Sequence, residues 1–235
     1  MSLTNLLKGK IEAAKVHSDI NGELTVIRDL TYGTYIHGGG LPQSGGLAEH
    51  VWKSALNKIR NSKHEIQNCL IVGLGGGSIA KLVRKSWPES KITGIDIDPV
   101  IVELGKKYMG LDKYDVEIIM GDAYDLFTNH PEKLRHGAGR SQFTDHYDLI
   151  CFDTYIQQDF PKKFESVSFI KQVKKLLTKN GLAIFNRLYG SEERDRAIAF
   201  EKVLLKVFPN VERVYPEANV MFVCSSRPWK ACDAN

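Results

Sequence analysis

The sequence predicts an α/β fold: a mostly parallel seven-stranded sheet with helices on both faces and a C-terminal antiparallel hairpin, preceded by a small N-terminal β-strand domain. Three observations predict it. Residues 69–98 hold a strand, a glycine turn, a helix and a second strand in that order. From residue 69 onward, strand-like and helix-like stretches keep alternating. Residues 16–44 instead show short alternating runs broken by Asn21-Gly22 and Gly38-Gly39-Gly40, the pattern of strands joined by tight turns. The boundary between the two parts is expected near residue 60, giving units 1–60 and 61–235.

Taken in order, Leu3, Leu6, Leu7, Ile11 and Ala14 recur at helical spacing and predict a short amphipathic helix over residues 1–15. Strands follow over 16–44, with Glu23–Arg28 alternating and Thr34–His37 running into the glycines. Leu47, Val51, Ala55, Leu56 and Ile59 share one face of a helix over Leu47–Arg60. Cys69–Val72 is apolar and partly β-branched, as a buried parallel strand requires, and Gly73–Gly77 ends it. Ile79, Leu82 and Val83 then fall at helical spacing, with Pro88 closing the segment. Lys91–Ile95 is the second strand, ending at Asp96. Pro99–Tyr108 is the next helix, with proline in its first turn.

Val116–Met120 is the third strand and runs into Gly121-Asp122-Ala123. Residues 128–146 are polar, basic and aperiodic, which predicts a surface excursion; His130, His136 and His146 are too irregularly spaced for a metal site. Tyr147–Phe152 is the fourth strand, carrying Asp153 at its tip, and Thr154–Pro161 is a loop over the crevice. A helix over Phe169–Leu177 stopped by Asn180-Gly181, a strand over Leu182–Asn186 and a helix over Glu192–Val207 lead to a hairpin of Val211–Tyr215 and Val220–Cys224.

The chemistry is read from the strand ends. Glycines let the backbone approach a ligand closely, and the free N–H groups of a helix start face its polar end. Asp96 lies about 20 residues beyond the glycines, where a carboxylate can accept both hydroxyls of a ribose. A nucleoside is therefore the expected ligand. In such a sheet the strand C-termini open into the ligand crevice, which aims Asp122 and Asp153 there as well. The plainer alternative is that strand-end aspartates cap the helices that follow them.

Composition narrows the classes. The chain has 235 residues, 43% hydrophobic and 26% charged, with a net charge of +4, an ordinary balance for a globular protein without a dense basic stripe for nucleic acid. Four cysteines lack disulfide-framework or metal spacing, so reduced thiols are expected. No leader and no apolar run of membrane-spanning length stands out, so the expectation is a cytoplasmic protein without a membrane partner.

With those motifs in place, the chain resembles the spermidine synthase-like (polyamine aminopropyltransferase-like) family within the Rossmann-like S-adenosylmethionine-dependent methyltransferases. Pro42-Gln43-Ser44, the Gly73–Gly77 turn, Ile95-Asp-Ile-Asp98, Gly121-Asp122-Ala123, Tyr147–Ile150, Asp153 and the closing hairpin carry the likeness. The resemblance implies a class I methyltransferase fold and, as donor, S-adenosylmethionine or its decarboxylated form, with no metal. It implies that Asp96 holds the ribose, Asp122 the adenine amino group and Gln43 the aminoacyl or aminopropyl arm. The donor-facing set so implied is Gln43, Gly73, Gly75, Gly76, Gly77, Asp96, Ile97, Gly121, Asp122, Ala123 and Asp153. Asp153 is the candidate base, with Tyr155 and Gln157 lining the acceptor side. A small-molecule acceptor, an amine among the candidates, and a homodimer are expected as partners.

Three departures bear on the reaction. Where aminopropyltransferases carry a second Asp three positions after the catalytic acid, this chain has Ile156. The acid of their glycine loop is Gly76 here, and their Tyr-His pair aligns with Trp52-Lys53. A buried diamine needs carboxylates at both ends, because an unpaired ammonium is costly to bury. Asp159 is the remaining candidate for that second acid. The expectation is therefore methyl transfer, with aminopropyl transfer as the alternative and a non-catalytic nucleoside-binding scaffold as a further one. A nicotinamide dehydrogenase ranks lower, since Ser78 stands where the last glycine of Gly-x-Gly-x-x-Gly belongs.

Overall fold

The structure, a computed structural model of the chain, describes residues 9–134 and 146–228. The N-terminal sheet is antiparallel, in the order β1 (Lys10–Ser18), β2 (Gly22–Asp29), β3 (Gly33–Gly38) and β4 (Leu41–Ser44). The main sheet contains β5 (Asn68–Val72), β6 (Lys91–Asp96), β7 (Val116–Met120), β8 (Tyr147–Phe152), β9 (Leu177–Leu188), β10 (Asn210–Val214) and β11 (Asn219–Ser225). Its spatial order is β10-β11-β9-β8-β5-β6-β7. Strands β7, β6, β5, β8 and β9 are mutually parallel, and β11 runs antiparallel to both β9 and β10. The order reverses between β5 and β8, which opens a crevice at their C-terminal ends.

Because successive strand residues face opposite sides, β5 feeds two cores. Cys69 and Ile71 join the first, with α1 (Gly46–Asn61), α2 (Ser78–Ser86) and α3 (Pro99–Leu104) and with Leu24, Val26 and Ile36 of the small sheet. Leu70 and Val72 join the second, with α4 (Ala123–Thr128), α5 (Val167–Lys175) and α6 (Arg194–Leu204). That second core is aromatic: Phe152 stacks on Phe185 at 4.7 Å between centroids, and Phe169 meets Phe152 and Phe127. Among the described residues no helix is long and apolar enough to cross a membrane. Cys69, Cys151 and Cys224 are buried free thiols, and Cys232 lies outside the described residues.

Several expectations are corrected. Residues 10–15, placed in an N-terminal helix by their spacing, belong to β1, which pairs with β2 from Lys10↔Asp29 to Ser18↔Gly22 around a bulge near Ala13. Ladder pairing overrides a helical periodicity carried by a few residues, and Ile11 is 41% exposed rather than on a buried face. Residues 1–8 lie outside the described part. Asn180-Gly181 does not stop a helix but sits inside β9, whose register slips between Tyr147↔Leu177 and Leu149↔Leu182. Gly181 is suited to that irregularity, since a Cβ there would lie 2.7 Å from the Tyr147 carbonyl oxygen. The excursion at 128–146 begins with structure: Pro131–Leu134 is a 3-10 turn, and Tyr147 Oη donates to the Leu134 carbonyl at 2.7 Å. Residues 135–145 lie outside the described part.

Asp98 ties the two sheets together. Its buried carboxylate accepts the Ser18 hydroxyl at 2.5 Å, the Asn21 amide at 2.6 Å and, as the cap of α3, the Val100 N–H at 2.9 Å. Asp98→Ala strands three donors away from water. The expected loss is about 2–3 kcal/mol, read as a lower urea midpoint at unchanged slope; an unchanged midpoint would mean that the small sheet is held by its apolar contacts alone.

Candidate active site

A cavity of about 270 Å³ opens at the C-terminal ends of β5, β6, β7 and β8, closed on the other side by the β4–α1 corner and the β10–β11 turn. Asp96, Asp122 and Asp153 all line it. Each is delivered by the last residue of a strand or the first residues after one, so parallel pairing alone gathers them.

Asp96 ends β6 and is 8% exposed. Its Oδ2 accepts the Gly75 N–H at 2.7 Å and its Oδ1 the Asp98 N–H at 2.9 Å. Burial pushes its carboxyl above the ordinary value, and those two N–H groups oppose the rise. Asp122 takes the plainer of its two expected roles, the helix cap, and also faces the cavity. Its Oδ1 caps α4 by accepting the Tyr124 N–H at 2.9 Å, while its Oδ2 accepts from Lys163 Nζ at 2.5 Å on the cavity wall.

Asp153 is the most constrained. Oδ2 accepts the Trp52 indole N–H at 2.7 Å, and Oδ1 accepts the Asn186 amide at 2.8 Å. Asn186 is itself oriented by Asn219, whose amide donates to Asn186 Oδ1 at 2.8 Å. Burial pushes the Asp153 carboxyl up to about 6, the Asn186 and Trp52 hydrogen bonds pull it back, and the charge of Asp96 adds to the rise. A carboxylate poised there can take a proton near neutral pH.

The glycines divide by task. Gly73 and Gly75 line the cavity; Gly76 and Gly77 do not. A Cβ on Gly75 would make ordinary contact with Ser44 and the Gln43 carbonyl at 3.6–3.7 Å, so the space there accepts a methyl group without displacing a neighbour. A Cβ on Gly76 would lie 2.5 Å from Met109 Sδ, and one on Gly77 2.6 Å from Leu111, so these two glycines serve the packing of the turn against the π-helical turn Gly105–Met109 and the segment after it. Gly76 N–H also donates to Ser44 Oγ at 3.1 Å, and Ser44 shares a hydrogen bond with Ser78 at 2.8 Å, which pins the small sheet beneath the glycine turn.

The remaining expected residues are placed as follows. Ile97, Gly121 and Ala123 line the cavity, Ile97 with 40% exposure. Gln43 lines it too, but its amide donates to the Gly38 and Gln157 carbonyls at 2.9 and 3.1 Å, tying the small sheet to the 154–161 loop. Gln157 lines it as well. The ring of Tyr155 forms part of the wall, whereas its hydroxyl accepts the Leu188 N–H at 2.7 Å; buried there, it is held well above the usual phenol range and is a poor proton carrier. Ile156 faces the cavity, while Asp159 and Lys53 are exposed and do not line it.

Sequence reasoning did not find Asn186, Lys163, Thr154 and Glu217, all of which line the cavity. Asn186 had a signal, a single amide closing the apolar run Leu182–Phe185. Thr154 Oγ1 is buried without a protein partner among the described residues, so a polar group of a ligand can use it. A glycine turn on the cavity wall, a buried carboxylate on β6, a second on the β7 loop and an exposed apolar Ile97 are together suited to an adenosyl group. Among the described residues no group of His, Cys, Asp and Glu is arranged to hold a metal.

Comparisons with known proteins agree with this geometry. The human eEF1A lysine and N-terminal methyltransferase is 30% identical over 169 residues, 68% of this chain and 23% of that protein. The polyamine aminopropyltransferase of Vibrio vulnificus is 25% identical over 145 residues, 61% of this chain and 45% of that one. The chain thus spans under a quarter of the eEF1A methyltransferase's length and under half of the aminopropyltransferase's. The crystal structure of a probable spermidine synthase from Corynebacterium glutamicum superposes with a TM-score of 0.73 at 17% identity, covering 94% of this chain and 83% of that one, which shows the Rossmann-like fold. The family model of the spermine/spermidine synthase domain matches residues 49–225, and the chain belongs to that family.

Proposed function

We propose that the protein is an S-adenosylmethionine-dependent methyltransferase that acts on an amine carried by a polypeptide, with Asp153 as the proton acceptor. The observation that carries this reading is the environment of Asp153: one carboxylate with a carboxyl near 6, held by Trp52 and Asn186, with an apolar Ile156 where a second acid would face a diamine. The eEF1A relative, named for methylation of lysine and N-terminal amines, supports the choice of acceptor.

The donor supplies a methyl group on a sulfonium, whose positive charge disappears as sulfur keeps the bonding pair and nitrogen gains the carbon. This chain's residues do the rest. In this reading Asp96 accepts the ribose hydroxyls, Asp122 accepts from the adenine amino group, and Ile97 covers the base. Asp153 removes the proton that would otherwise block the attacking nitrogen, and Trp52 and Asn186 keep its two oxygens in one orientation.

A second reading, aminopropyl transfer to a diamine, is supported by the family and by the Vibrio relative. Ile156 and the outward position of Asp159 count against it. Calorimetry with intact and decarboxylated S-adenosylmethionine, followed by mass spectrometry of amine and peptide mixtures, separates the readings. The expected result is binding of the intact donor and a 14-Da gain on a peptide amine. Tight binding of the decarboxylated form alone, with a longer diamine as product, would establish the second reading, and silence with every sulfonium compound would overturn both.

A further inference from the structure

The β10–β11 turn brings an acid to the cavity that the mechanism leaves unused. Glu217 lines the same cavity as Asp153 and is exposed at its rim. Its φ is +49°, in the left-handed region where glycine sits at no steric cost and a longer residue does not. The turn is held in that shape from both sides: Asn219 N–H donates to the Pro216 carbonyl at 2.9 Å, and Tyr189 N–H donates to the Ala218 carbonyl at 2.8 Å. Strain kept at a ligand site invites a functional explanation.

The carboxylate also lacks a counter-charge. Among the described residues no hydrogen bond or ion pair engages it, and Lys163, the lysine that lines the cavity, is committed to Asp122. The position is fixed relative to the base, because Asn219, two residues on, continues through Asn186 to Asp153. The same cavity also exposes apolar residues, with Leu47, Ile97 and Ile156 between 37% and 41% exposed. A single unpaired anion on a cavity with exposed apolar residues is suited to one cationic side chain whose stem lies on those residues.

We propose that Glu217 is a specificity-determining residue of the acceptor side, receiving a lysine or arginine side chain that neighbours the amine to be methylated. The inference rests on the polypeptide-amine reading above and adds a sequence requirement to it. Glu217 touches the acceptor away from the reacting nitrogen, so it sets which amines are presented and leaves donor binding alone.

The test is an array of short peptides with a free N-terminal amine and one lysine, differing only in whether basic, neutral or acidic residues flank those amines. Each is incubated with tritium-labelled S-adenosylmethionine and the wild type, Glu217→Lys or Glu217→Gly. The wild type is expected to label basic-flanked peptides over acidic-flanked ones by about tenfold. Glu217→Lys is expected to reverse that order. Glu217→Gly is expected to abolish it with a thermal midpoint at or above that of the wild type, since the turn is relieved. All three are expected to bind S-adenosylhomocysteine equally by calorimetry. A wild type indifferent to flanking charge, or a preference that survives both substitutions, overturns the proposal while leaving the methyltransferase reading intact. Labelling of no peptide at all overturns the polypeptide-acceptor reading and this proposal with it.

Discussion

Asp153→Asn is expected to lower turnover by about 10²–10⁴-fold while S-adenosylhomocysteine still binds. The carboxylate accepts from Trp52 on one oxygen and from Asn186 on the other. An asparagine can offer an oxygen to only one of these donors and must turn its own N–H groups toward the second. The substitution thus removes the proton acceptor and sets two donors against each other. The pH dependence follows from the raised carboxyl. With Asp153 near 6, kcat/KM is expected to climb as pH rises through that value, because only the ionised form accepts a proton. Trp52→Phe deletes a hydrogen bond made to the charged form, so the carboxyl moves higher and the limb shifts to higher pH. Stability carries the opposite sign. A carboxyl raised on folding favours the native state below the ordinary value of 3.8, and that contribution is lost as pH rises through about 6. Urea midpoints of wild type and Asp153→Asn should therefore differ between about pH 4 and pH 7 in that sense. A pH–rate profile flat across the region of 6, or one unmoved by Trp52→Phe, would remove Asp153 from the proton-transfer role.

The three acids were legible because parallel strands leave little choice: a polar residue at the C-terminal end of β6, β7 or β8 must face the crevice. Asp153's partners were not. Trp52 is 101 positions away, on a helix whose apolar face explains its burial without any reference to its indole N–H. Asn186 sits at the end of a strand whose apolar residues, not its amide, predicted it. Local spacing misread β1 for a related reason, since the bonds that make it a strand come from β2. The glycine turn shows the limit of a motif. Its composition marks a close approach without saying to what, and at Gly76 and Gly77 the neighbours are Met109, Gly105 and Leu111 rather than the cavity.

At Gly73 the neighbour is the backbone of Asp153 at the tip of β8, which makes Gly73→Ala the most damaging methyl addition in the turn. The residue has φ +87°, and an added Cβ would lie 2.2 Å from the Asp153 carbonyl oxygen and 2.7 Å from its carbon. Backbone cannot rotate away as a side chain does. Gly73 N–H is bonded to the Ile95 carbonyl at 2.9 Å and Asp153 N–H to the Val72 carbonyl at 2.8 Å, so both strand ends are held by the ladder. The left-handed backbone costs about 1–2 kcal/mol and the forced shift about 1–3 kcal/mol. A total of about 2–5 kcal/mol is expected in urea unfolding. If the chain yields instead, Asp153 moves off Trp52 and Asn186, and the kcat/KM limb near 6 moves with it. Gly75→Ala is the matched control: φ is +53°, but the Cβ would meet nothing nearer than 3.6 Å. It should cost only about 1 kcal/mol of stability and leave the kcat/KM limb near 6 in place, because its methyl group rests on Ser44 and the Gln43 carbonyl without moving Asp153. Equal midpoints for the two variants would mean that the turn is loose enough to let the strand tips separate, and the close fit between Gly73 and Asp153 could not then be what aims the carboxylate.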